Sequence, residues 1–130
     1  MTIKAVVWGE NVHEQTNKIV AGLYPDGMHG AIAAALNAAG GIEATTATLQ
    51  EPEHGLSEAR LAKADVLLWW GHAAHGDVDD KIVERVADHV NERWSRKFGP
   101  VVNVDRMKKV MIQNDKKKEP FARFQSQGCA

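Results

Sequence analysis

Apolar positions along this chain fall into blocks whose spacing switches between strand-like and helix-like. Ile3 to Trp8 is apolar apart from Lys4. It lacks the alternation of a half-exposed strand and predicts a central one, covered on both faces. Gly9-Glu10-Asn11 ends it. Glu14 to Ala21 predicts a short helix with Ile19, Val20 and Leu23 as its apolar residues, and Tyr24-Pro25-Asp26-Gly27 is strong turn chemistry. Met28, Ala31, Ile32, Ala35, Leu36 and Ala39 then recur at helical spacing, and Gly40-Gly41 stops the pattern. Ile42 to Leu49, with β-branched Ile42, Thr45, Thr46 and Thr48, predicts the second strand. After a loop at Pro52 to Leu56, Ser57 is placed to cap a short helix running to Ala64, with Leu61 facing inward. Val66 to Trp70 is wholly apolar, too short for a membrane span and suited to a strand buried on both faces. Asp77, Asp79 and Asp80 offer caps to a further helix near residue 79, with Ile82, Val83, Val86, Val90 and Trp94 on its buried side.

The order β, α, β, α, β, α predicts an α/β fold: a parallel sheet with helices on both faces. In one common doubly wound order the first strand lies between the second and third, and ligands bind where strands 1 and 3 end. Loops 9–14 and 71–77 would then share one mouth. Past Ser95 the pattern decays. Val101, Val102 and Val104 suggest a short fourth strand and Arg106 to Ile112 a turn or two of helix. No internal repeat is visible.

A chain of 130 residues is most simply one domain with a single core. Charge divides it. Residues 1–95 hold 7 Lys/Arg and 14 Asp/Glu, a net −7, and residues 96–130 hold 9 and 3, a net +6; together they give the −1 of the whole chain. The first part reads as a domain and the second as a basic, poorly ordered tail. Phe121 and Phe124 among its lysines could touch nucleic acid, but a solvated end explains the composition better. The single cysteine, Cys129, allows no intrachain disulfide. With no signal-peptide pattern at Met1-Thr2-Ile3-Lys4 and no membrane-length apolar run, the expected location is the cytoplasm.

Chemistry concentrates at the expected mouth. His13 follows strand 1, His72 and His75 follow strand 3, and His29 lies in the first turn of the helix after Pro25. Three imidazoles and a water make a catalytic zinc site, although loop histidines capping backbone groups fit the same pattern. His54 and His89 are set aside, one in an exposed loop and one beside a helix's buried face. Glu10 and Glu14 could act as general bases or bind sugar hydroxyls. Trp8 and Trp70 could stack on a sugar ring, with core packing the blander role for both. Gly9 and Gly71 allow a close approach to a ligand or simply a sharp exit from a strand. Phosphate-loop and nucleophile-elbow patterns are missing, so no nucleotide cofactor is indicated.

Several segments together carry a family resemblance: Val7-Trp8-Gly9-Glu10, His13-Glu14, Tyr24-Pro25-Asp26-Gly27-Met28-His29, Glu51-Pro52-Glu53-His54-Gly55-Leu56 and Leu67-Leu68-Trp69-Trp70-Gly71-His72. In this order they resemble the N-terminal half of the trehalose-utilisation, ThuA-like, proteins. The resemblance implies a flavodoxin-like fold related to class I glutamine amidotransferases and a role in using trehalose and related disaccharides. It also implies a histidine-lined pocket able to hold zinc, with His13, His29 and His72 as ligands. The likeness spans residues 3–94. Family proteins continue with an apolar strand ending in a Leu-His-Ser-Gly-His-like turn, and Val101 to Arg106 does not match it. The expectation is a truncated ThuA-like domain whose partner is a sugar or sugar derivative, with no membrane contact. Two alternatives stand beside it. One is a non-catalytic half-domain that holds a small ligand or another subunit and is docked by the basic tail, with an exposed sheet edge favouring association. The other is a non-functional gene fragment.

Overall fold

In the computed structural model, which describes residues 1–94, three parallel strands form one sheet: β1 (Ile3–Gly9), β2 (Ile42–Thr48) and β3 (Val66–Trp70), in the order β2-β1-β3. The helices between them are α1 (His13–Thr16), α2 (Lys18–Leu23), α3 (Gly27–Ala39) and α4 (Glu58–Lys63). This is the expected α/β arrangement with the first strand central, and it corresponds to half of a flavodoxin-like or Rossmann-like sheet. The chain divides into two compact units at Asp77, and the sheet and these helices belong to the first.

Register is continuous: Ile3 pairs with Ile42 through Gly9 with Thr48 on one side, and Ala5 with Val66 through Gly9 with Trp70 on the other. From Ala5 to Gly9 every residue of β1 is buried. Alternation sends Ala5 and Val7 to one face, where they pack with Ala33 of α3, Ala44 of β2 and the partly buried Ile32, Leu36, Ile42 and Leu68. Val6 and Trp8 point to the other. Trp8, fully buried, stacks on its register neighbour Trp69 at 4.3 Å, and its indole N–H donates to the His54 carbonyl at 2.9 Å.

Several elements depart from expectation. The helix predicted from Glu14 to Ala21 is two short ones, because the Asn17 side chain accepts from the Ile19 and Val20 amides and starts a new helix there. The buried face of α3 is Gly27, His29 and Ala33, with Ile32 and Leu36 half-buried, whereas Ala31, Ala35 and Ala39 are exposed. Alanine is nearly indifferent to burial, so an alanine-rich helix shows its packing side poorly through spacing. β3 is not covered on both faces: its ends Val66 and Trp70 are exposed and its middle is half-buried. α4 begins as predicted, with the Ser57 hydroxyl accepting from the Arg60 amide and Leu61 fully buried.

In the second unit, α5 (Asp80–Asp88) starts at Asp79, whose carboxylate accepts from the Lys81 amide, and it buries Ile82, Val83, Val86 and Ala87. A π-helical turn, His89–Trp94, continues it, with Val90 half-buried. The expected strand at Val101, the helical turns from Arg106 and the basic tail lie outside the described residues, as does the Trp94 side chain. No helix among the described residues is long and apolar enough to cross a membrane.

Candidate functional site

Where β1 and β3 end side by side, at Gly9 and Trp70, their following loops form a pocket of about 200 Å³. Residues 10–14, the loop after β1 and the start of α1, supply one wall, Trp70 and His72 another, and Val20, Tyr24 and Met28 close it with apolar surface. Five of the seven expected site residues therefore share one place: Glu10, His13, Glu14, Trp70 and His72.

Rings form a short ladder there. The His13 and His72 imidazoles lie parallel, 3° apart in plane with centroids 5.2 Å apart, and Trp70 lies beyond His72 at 6.3 Å and 22°. Trp70 is 45% exposed, unusual for an indole, and so has ring surface to offer.

Both carboxylates are engaged with backbone. Glu10 is only 4% exposed, and its oxygens accept from three successive amides, His72 at 2.7 Å, Ala73 at 2.7 Å and Ala74 at 2.9 Å. Glu14 accepts from the Met28 amide at 3.0 Å. Met28 lies in the first turn of α3, whose own N-cap residue, Asp26, makes no side-chain cap, so Glu14 completes that helix end from another element. Neither partnership could be read from local spacing, because each joins residues distant in sequence.

Two expected residues stand apart. Trp8 is wholly buried and presents no ring face to a ligand; it takes the core role. His29 is 9% exposed and packs into a slot made by two glycines. A methyl group on Gly9 would lie 3.1 Å from His29 Nδ1, and one on Gly27, which also has φ +75°, would lie 2.7 Å from it. Glycine at residue 9 thus serves close packing of an imidazole, a third explanation beside the two weighed from sequence. His29 Nδ1 is buried without a hydrogen-bond partner. The His75 side chain lies outside the described residues.

Zinc held by three imidazoles requires three in-plane lone pairs to converge on one point about 2 Å away. His13 and His72 line the pocket with parallel rings, whereas His29 sits in its glycine slot and does not line it. No group of three His, Cys, Asp or Glu among the described residues is arranged to hold a metal ion, so His13, His29 and His72 are not brought together as one ligand set.

Compared with known proteins, the chain matches no family model and no curated sequence. What stands is a small α/β domain with a three-stranded parallel sheet and a ring-lined pocket at the carboxyl ends of β1 and β3.

Proposed function

We propose that this mouth binds a polyhydroxylated ligand the size of one sugar ring, and that the chain serves disaccharide utilisation, the role implied by its resemblance to ThuA-like proteins. The observation that carries the reading is the pocket itself, about 200 Å³ with the exposed Trp70 indole on its wall. A cavity of about 150 Å³ admits benzene. The pocket at the mouth is somewhat larger, yet below the roughly 300 Å³ at which sites for drug-sized ligands begin. One pyranose ring suits that space, and the second ring of a disaccharide would project outward. The aromatic wall offers a stacking face for the ring's C–H side, and Glu14 and Asn11 offer acceptors for its hydroxyls.

Binding is favoured over acid–base chemistry at the mouth by one feature. Glu10, the buried one of the two carboxylates that could have moved protons, is committed through both oxygens to three backbone amides. Titration of the full chain with glucose and with trehalose, followed by tryptophan fluorescence and calorimetry, tests the reading. Saturable binding of both is expected, weakened roughly threefold to tenfold in Trp70→Ala, the equivalent of about 1 kcal/mol. Absence of saturation, or affinity unchanged in Trp70→Ala, overturns it. Metal content measured on the same sample separates a different outcome: near one zinc per chain, lost in His13→Ala, would make the mouth a metal centre.

A further inference from the structure

The loop leaving β3 turns three successive amides, those of His72, Ala73 and Ala74, onto one point. Such a concavity of N–H groups is an anion-binding nest. Here the anion is built in. The Glu10 carboxylate, carried by the loop after β1, fills the nest at 2.7–2.9 Å, the short distances of charge-assisted bonds. Its backbone is fixed as well: the Gln50 side-chain amide donates to the Glu10 carbonyl at 2.8 Å. The next residue, Asn11, takes the left-handed conformation (φ 53°) that asparagine tolerates better than most, and the chain swings from there toward His13. One buried side chain thus ties together the two loops that carry the ring ladder.

We infer that Glu10 is the positioning residue of this mouth, an internal anion that templates the β3 loop and so sets His72 over His13. The nest it fills is a small-carboxylate site, which formate enters once the side chain is removed. The inference does not rest on the sugar reading, since its test uses no sugar.

The experiment follows the ring-current shifts of the His13 and His72 imidazole protons by NMR in the full chain, with the amide resonances of residues 72–74 alongside. Glu10→Ala is expected to lose those shifts and to broaden the loop amides while β1 and β2 resonances stay in place. Formate is then expected to restore them saturably, where chloride at equal ionic strength does not. Glu10→Gln puts one carbonyl oxygen and an N–H₂ group in the nest, so partial loss without formate rescue is expected. Should Glu10→Ala not fold, Glu10→Gln decides: its predicted partial loss supports the inference, and wild-type ring shifts overturn it. A folded Glu10→Ala that keeps the stack, or that ignores formate, overturns it also. Trehalose or glucose binding to wild type reports separately on the proposed ligand.

Discussion

The two outer strands flank the same central strand, run in the same direction and end differently at their outer edges. In β2 the outward backbone groups belong to Ile42, Ala44, Thr46 and Thr48, and side chains take up four of them. The Asn37 amide pairs with both the N–H and the C=O of Ala44, at 2.8 and 3.0 Å. The Arg60 guanidinium donates to the Thr46 carbonyl, and Glu51 accepts from the Thr48 amide at 2.6 Å. In β3 the Asp65 amide faces β1, donating to Lys4 at 2.8 Å, so Val66, Leu68 and Trp70 face outward. No side chain among the described residues covers those groups in the same way, and the strand carries no charge. Edge strands invite pairing unless something blocks them. Among the described residues, one edge is largely finished with side chains, and the other is finished only at its end, where Glu10 gathers the loop beyond it.

The largest break in this comparison is expected from Asn37→Ala. Ala44 is 9% exposed, so losing the amide leaves a buried N–H and C=O unpaired at once. Each unpaired group costs about 1–3 kcal/mol, softened where water can reach, which suggests a loss of about 2 kcal/mol. Urea denaturation should show a lower midpoint with an unchanged slope. A loss below about 0.5 kcal/mol would mean that water replaces the amide, and that the β2 edge is not sealed in the sense described.

Arg60 comes next. It donates to the Gly55 carbonyl at 3.3 Å, to Thr45 Oγ1 at 3.2 Å and to Thr46, and lies 3.8 Å from Glu51. The ion pair is long and its two side chains are 29% and 42% exposed, so it adds little; the hydrogen bonds dominate. Arg60→Ala is expected to cost about 1 kcal/mol by denaturation, nearly the same at low and high salt. A penalty that shrinks by half in salt would assign it to the charge instead. Arg60→Lys should recover only part, because one ammonium cannot reach three acceptors lying in a fork.

What the sequence made legible follows from how far each signal reaches along the chain. The apolar run of β1, broken only by Lys4, announced a central strand, Ser57 and Asp79 announced helix starts, and β/α alternation announced the parallel sheet. These signals are local or follow from chain order. The α3 face was misread because its alanines carry almost no burial information. β3 resembled a doubly covered strand because its run is as apolar as that of β1, yet among the described residues it is an outer strand. The bonds of Glu10 to residues 72–74 and of Glu14 to Met28 join distant positions, and no period or cap rule reaches that far. Histidine spacing likewise placed His13 and His72 together but said nothing of ring orientation, the property on which metal geometry depends.

The smallest effect on stability, and the sharpest on the comparison, is expected from Val66→Lys. Val66 is 41% exposed on the outer edge of β3, so a lysine there displaces little packing, and unfolding free energy should change by less than about 0.5 kcal/mol. Its charge nonetheless sits where a further strand would pair, and inserting charge is how natural edges are protected. Sedimentation and heat-induced turbidity over a range of concentrations should show less self-association than in wild type. The matching change on the other edge is Glu43→Val, which removes a charge from exposed β2 surface. Because both outward groups of Ala44, the Thr46 carbonyl and the Thr48 amide already have partners, that variant should associate no more than wild type. If Glu43→Val aggregates and Val66→Lys changes nothing, side-chain capping does not distinguish the two edges, and surface charge alone keeps them apart.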